Sequence, residues 1–135
     1  MKILIVGNGK HVKKRIINSI IKLPRLNELY VLDRNILKKT YENNVTYLNY
    51  DHLFSLETNF DSIVIATTPS THVEIFKKLS KMSERFIIEK PLTTSAKYIN
   101  EEDIFESNKN LVIFDSLMYL FHPLWKEAKK IFNKE

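Results

Sequence analysis

Glu89-Lys90-Pro91 places a carboxylate and an ammonium side by side at the end of a short apolar run, Arg85-Phe86-Ile87-Ile88. The run reads as a buried strand, and Pro91 stops it because proline has no N–H to give to a ladder. A lysine at the mouth of an open parallel sheet stands where ligands bind. Partial desolvation there would make its proton easier to lose. That suits acid–base work on a hydroxyl or a carbonyl. In isolation Lys90 is one of many lysines, and most lysines face solvent; its position at a strand end is what raises it.

A second group of residues could hold a nucleotide. The chain has two glycines, and both lie in Gly7-Asn8-Gly9-Lys10-His11-Val12, directly after the apolar run Lys2–Val6. Gly7 permits a tight turn. Gly9 lets a pyrophosphate approach the backbone and face the amide N–H groups where a helix opens at Lys10 and His11. Val12 takes the third small-residue position, so helix and strand are expected to pack less closely. Asp33 ends a second apolar run, Leu29–Leu32, where a carboxylate can accept both hydroxyls of an adenosine ribose. It would repel a 2′-phosphate and so favours NAD. The neighbouring guanidinium of Arg34 could pair with such a phosphate, which keeps NADP open.

Thr67-Thr68-Pro69 ends a further run, Ser62–Ala66, and could line the nicotinamide half of the same crevice. His72 falls in the first turn of the next helix, where a surface or capping-region side chain is the plainer reading. His11 reads as a helix-start residue, and His52 has no evident partner. The four histidines show no metal-ligand spacing, and no metal is expected.

The elements that must position these residues alternate along the chain. Val12, Ile16, Ile17, Ile20 and Ile21 recur at helical spacing, and Pro24 closes that region. Asn35 looks like the N-cap of a short helix over Ile36–Tyr41. Val45–Leu48 suggests a third strand. Thr71 and Glu74 have the spacing of a capping box for a helix whose stripe is Val73, Phe76 and Leu79. Arg85–Glu89 is the fifth strand and Leu111–Phe114 the sixth. Between them Ser95–Ser107 reads as a helix, with Ala96, Ile99 and Phe105 inward. Pro123 suits the first turn of a last helix over about 122–134. Apolar strands alternating with amphipathic helices imply an α/β fold, a doubly wound parallel sheet with strand order 3-2-1-4-5-6 and a ligand crevice where the order reverses.

Composition bounds the function classes. The 135 residues suit one domain spanning 1–135. There are no cysteines, which excludes disulfides and thiolate metal sites. No stretch is long enough to span a bilayer, and the amino-terminal apolar run is too short for a signal peptide, so a cytoplasmic protein is expected, with no membrane partner. The net charge of +5 comes from lysines spread over several elements. Dispersed charge without a recognition motif speaks against a nucleic-acid partner.

Taken together, the motifs resemble those of the Gfo/Idh/MocA oxidoreductases. The likeness covers nearly the whole chain and rests on Gly7-Asn8-Gly9, Ala66-Thr67-Thr68-Pro69-Ser70-Thr71-His72, Glu89-Lys90-Pro91-Leu92 and Phe121-His122-Pro123. It implies a Rossmann-type fold and a nicotinamide cofactor lying along the crevice. The implied chemistry is hydride transfer to or from a carbon of a sugar, cyclitol or nucleotide-sugar. Lys90 would then contact the reacting hydroxyl, Glu89 would orient it and Pro91 would fix the turn. Thr68, Pro69 and His72 would lie near the nicotinamide and its ribose. The chain departs from the family at Val12, and at Ser116 and Leu120, where Gly and Arg are frequent. The family's second, α+β domain, which supplies most of a substrate pocket, does not follow here. Cofactor binding with little or no turnover by this chain alone is therefore expected; a nucleotide-binding regulatory module or pseudoenzyme is the alternative. Apolar side chains crowded into 117–132 suggest self-association or docking to a partner chain through that segment.

Overall fold

The structure, a computed structural model, describes residues 1–95 and 110–132. Seven strands form one sheet: β1 (Lys2–Val6), β2 (Glu28–Leu32), β3 (Thr40–Glu42), β4 (Val45–Leu48), β5 (Ser62–Ile65), β6 (Arg85–Ile88) and β7 (Val112–Asp115). Their order is β3-β4-β2-β1-β5-β6-β7. The six strands anticipated from sequence thus lie in the expected order and are mutually parallel. The sheet differs from the expectation by one antiparallel edge strand, β3 against β4.

That edge strand replaces the short helix expected over Ile36–Tyr41. Asn43 and Asn44 both take positive φ, 50° and 63°. This is the backbone of a two-residue hairpin turn, and asparagine tolerates it better than most residues. Glu42 pairs with Val45 across the turn. Asn35 is no N-cap: its amide donates to Asp33 Oδ1 at 2.8 Å, closing a side-chain turn.

Strand alternation sorts the core into two layers. Leu4 and Val6 face one side with Leu32, Leu48, Ile63, Ile65, Phe86 and Ile88, covered by Phe76 and Leu79. Ile3 and Ile5 face the other side with Leu29, Val31 and Val64, covered by Val12 and Ile17. The sheet centre is buried on both faces, as a doubly wound parallel sheet requires.

The first helix opens as a π-helical stretch at Val12–Ile16 and continues as α1 (Ile17–Ile20). A short helix, α2 (Tyr50–Phe54), was not anticipated; Asn49 caps it, accepting from the His52 amide at 3.0 Å. Helix α3 (His72–Leu79) follows a 3-10 turn at Pro69–Thr71. The expected capping box does not form. Thr71 is itself helical, its hydroxyl donates back to the Thr68 carbonyl at 2.8 Å, and Glu74 pairs with Lys78 instead. The buried stripe of α3 is His72, Ile75, Phe76 and Leu79 rather than one led by Val73.

The helix expected over Ser95–Ser107 lies outside the described residues from 96 on. The last helix, α4 (Pro123–Phe132), has Pro123 in its first turn as expected. Much of its apolar surface is exposed: Leu124, Ile131 and Phe132 are 73%, 71% and 78% exposed. On β6 and β7, Ile87, Val112 and Phe114 are also exposed. Among the described residues no helix is long and apolar enough to cross a membrane.

Candidate functional site

The site forms where β1, β2, β5 and β6 end on the same edge of the sheet. After β1 the chain turns at Gly7, whose φ is +111°. A Cβ there would stand 2.6 Å from the Ala66 carbonyl oxygen. Glycine is thus demanded twice, by the backbone angle and by the close approach of β5. At Gly9 an added Cβ would meet nothing within 4 Å. The second glycine leaves the turn open on the outer side, where a ligand would come. Val12 is buried in the core layer that holds Ile3 and Ile5 of β1, and it begins the π-helical stretch.

Asp33, at the end of β2, is half-buried and doubly held. Its Oδ2 accepts from the Asn8 amide at 3.1 Å and its Oδ1 from the Asn35 amide at 2.8 Å. The carboxylate therefore ties the glycine turn to the turn after β2. A carboxylate offers about four acceptor positions, so roughly two remain. Asn8 contributes a further acceptor: its Oδ1 is buried and has no hydrogen-bond partner. Buried polar atoms are rarely left unpaired, which fits a donor arriving with a ligand or a water.

These residues line an open cleft of about 550 Å³. Gly7, Asn8, Gly9, Asp33, Arg34, Thr67 and Thr68 all border it. Lys10, His11, Pro69, His72, Glu89, Lys90 and Pro91 do not. The far wall consists of Tyr50, Thr71, Glu74, Ile75 and Lys78, none of which sequence reasoning assigned to the site. Tyr50 comes from the unanticipated α2, and the rest become neighbours only because α3 packs beside β5. The Lys78 ammonium stands 5.8 Å from the Tyr50 ring centre and 2.8 Å from Glu74 Oε1. Burial raises the Tyr50 phenol above its ordinary range against the opposing Lys78 charge. The hydrogen bond from Lys78 lowers the exposed Glu74 carboxyl.

Along the same edge lies a second set. The Glu89 amide donates to the Ile65 carbonyl at 2.8 Å, and Ser116 Oγ donates to Glu89 Oε1 at 3.3 Å. The His11 ring reaches the same oxygen at 3.7 Å. Glu89 thus joins the ends of β6 and β7 to the start of the first helix. Lys90 is exposed, and the Lys90–Pro91 peptide is cis.

His72 is not the surface or capping-region side chain expected of it. It is fully buried, with Nδ1 3.1 Å from the Pro91 carbonyl oxygen and Nε2 3.1 Å from that of Thr67. Among the described residues no three His, Cys, Asp or Glu side chains gather as a metal site would need.

The sequence profile of a family described as "Oxidoreductase family, NAD-binding Rossmann fold", Gfo/Idh/MocA, matches residues 1–114. The chain belongs to this family. A Gfo/Idh/MocA membership makes it an oxidoreductase NAD-binding Rossmann domain, in keeping with the glycine turn and Asp33. Among solved structures it is similar to scyllo-inositol dehydrogenase from Lactobacillus casei with bound NAD(H) and scyllo-inositol, with a TM-score of 0.78 at 17% identity. It is also similar to myo-inositol 2-dehydrogenase from Lactobacillus plantarum, with a TM-score of 0.75 at 19% identity. D-galactose-1-dehydrogenase from Rhizobium etli gives a TM-score of 0.74 at 23% identity. At these identities the likeness is one of fold. The matches cover 99%, 99% and 96% of this chain and 41% of each of the three structures, so the chain spans about two fifths of their length. No curated protein matches it significantly.

Proposed function

We propose that the cleft binds NAD and that the chain forms the cofactor half of a dehydrogenase acting on a sugar, cyclitol or nucleotide-sugar. The observation that carries this reading is the Asp33 carboxylate, fixed by two backbone amides beside a glycine turn that is open at Gly9. In this pose the remaining lone pairs of Asp33 accept the hydroxyls of the adenosine ribose. Gly9 and the N–H groups at Lys10 and His11 face the diphosphate. Thr67 and Thr68 border the nicotinamide half, with Pro69 just behind them, and Tyr50 and Ile75 wall the adenosine end. The orphaned Asn8 Oδ1 and the empty space beyond Gly9 fit such a ligand. A 2′-phosphate would come against Asp33, so NAD should bind more tightly than NADP, with Arg34 narrowing the difference.

Bound NAD supplies the hydride acceptor. Lys90, exposed at the end of β6, takes or returns the proton of the substrate hydroxyl through Nζ, and Glu89 and Pro91 hold the backbone around it. Positioning a substrate is worth roughly 7–11 kcal/mol of the barrier in favourable cases. The residues that select and hold the substrate belong, in this reading, to the three fifths of the relatives' length that the chain does not span. The chain therefore binds cofactor and turns over little by itself. It works in a cell's soluble phase, and the exposed stripe of α4 meets a second copy or a partner chain.

Calorimetric titration with NAD and NADP tests the core of the proposal. Binding of NAD at micromolar to millimolar concentration is expected; heat-silent titration at millimolar NAD would sink it. NADH formation with a panel of sugars and cyclitols, compared between parent and Lys90→Ala, separates the dehydrogenase from a regulatory nucleotide-binding module. A Lys90-dependent signal indicates the enzyme, and binding without any turnover indicates the module.

A further inference from the structure

We infer that His72 is a positioning residue that fixes the Lys90 loop to the cofactor-facing end of β5. The inference rests on the reading of Lys90 as the proton carrier. Its physical basis is the placement of one buried side chain between two motifs that are distant in sequence.

Lys90 projects from the loop that leaves β6. On one side of it, Glu89 is anchored by its own amide to Ile65 and by its carboxylate to Ser116. On the other side is Pro91, which has no N–H with which to anchor itself. What holds Pro91 is its carbonyl, and what faces that carbonyl is His72 Nδ1 at 3.1 Å. The other ring nitrogen faces the Thr67 carbonyl at 3.1 Å. Carbonyl oxygens only accept, and a neutral imidazole carries one N–H, so the ring donates to one of the two carbonyls; that hydrogen is assigned to Nδ1, toward Pro91, with Nε2 packed against the Thr67 carbonyl. The ring has no solvent exposure, and water cannot stand in for the bond to Pro91 without repacking. Thr67 borders the cleft that Asp33 and the glycine turn define. His72 therefore sets the distance between the nucleotide cleft and the backbone that carries Lys90, from a place outside the cleft's lining.

An imidazole fits this place for a geometric reason. Its two nitrogens sit on opposite sides of a rigid ring, so Nδ1–H can donate to Pro91 while the ring fills the space against Thr67. Asparagine presents its amide nitrogen about where Nδ1 lies, toward Pro91. Glutamine presents its amide nitrogen about where Nε2 lies, toward Thr67. Phenylalanine keeps the volume and offers no donor.

The three variants His72→Phe, His72→Asn and His72→Gln, made in the whole chain without cofactor, test the assignment by backbone ¹⁵N relaxation. In the parent, Lys90, Leu92 and Thr93 should have order parameters near the rigid value of about 0.85. In His72→Phe and His72→Gln they should fall toward about 0.6, the flexible range. His72→Asn should restore most of the loss. The amides of β5 and β6 should stay rigid throughout. Equal values in all variants, equal loosening in all three, or loosening shared by β5 and β6 overturns the assignment, as does rescue by glutamine rather than asparagine. The two amide variants decide the matter even where His72→Phe does not fold. Because no cofactor is present, a failure of the NAD reading shows up separately, in titration of the parent.

Discussion

Replacing Asp33 separates two jobs that one carboxylate performs. In Asp33→Ala the amides of Asn8 and Asn35 both lose their acceptor. The Asn35 amide is exposed and finds water. The Asn8 amide is part-buried, and an unpaired buried donor costs about 1–3 kcal/mol. For a chain of this size each kcal/mol lowers Tm by roughly 3–5 °C, so the alanine variant should melt roughly 3–15 °C below the parent. Losing the acceptor for the ribose hydroxyls removes hydrogen bonds to a charged group, worth about 1.5–3 kcal/mol. That weakens NAD binding by about 10-fold to 150-fold. Asp33→Asn keeps one oxygen, enough to accept from Asn8, but drops the charge. It should recover most of the lost Tm while still binding NAD at least about tenfold more weakly, and it should narrow the preference over NADP. Differential scanning fluorimetry and calorimetry on the three proteins read the two jobs separately. A folded Asp33→Ala that binds NAD with the parent's affinity refutes the reasoning.

The two glycines should respond in opposite ways. Gly7→Ala puts a Cβ 2.6 Å from the Ala66 oxygen at a φ of +111°, and should lose stability by about 1–3 kcal/mol from the backbone conformation alone. Gly9→Ala meets open space; its Tm should stay near the parent's while NAD affinity drops by about tenfold or more. Burial, the hydrogen bond to Glu28 and the Glu28 charge push the Tyr30 phenol up to about 12. A raised pKa favours the neutral phenol in the fold, so this contribution is whole below the ordinary value of 10.0 and is lost as pH climbs toward about 12. Urea midpoints across that window should fall less steeply for Tyr30→Phe than for the parent. Burying a leucine-sized side chain is worth about 1.5–3 kcal/mol. If α4 joins copies, Leu124→Lys and Ile131→Lys should therefore each weaken self-association in sedimentation by about tenfold or more, and a parent that stays monomeric at high concentration removes the interface.

Much of this architecture was legible because it depends on local pattern. Lys2–Val6, Leu29–Leu32 and Ser62–Ala66 are short apolar runs of the kind buried strands use, Arg85–Ile88 alternates exposed and buried positions, and Pro69, Pro91 and Pro123 mark where elements stop or start. The misreadings have local causes too. The cap-like Asn35 points to a helix over Ile36–Tyr41, whereas the positive-φ pair Asn43-Asn44 closes a hairpin that makes part of that stretch the edge strand β3. Thr71 and Glu74 have the capping-box spacing, yet the 3-10 turn at Pro69–Thr71 rotates Thr71 into helical conformation before it can cap.

By itself the order of residues determined the strand sequence, the glycine turn, the acidic strand end at Asp33 and the Glu89-Lys90-Pro91 corner, since each is a contiguous signature of backbone freedom or charge. Tertiary structure alone decided which of these meet. Asp33 bonds to Asn8 across 25 positions because β1 and β2 are neighbours. Tyr50 and Lys78 wall the same cleft because α2 and α3 flank it. His72 is buried between Thr67 and Pro91 because β5 and β6 pair. Contacts between remote segments are set by packing of the whole sheet, and no single window of sequence contains them.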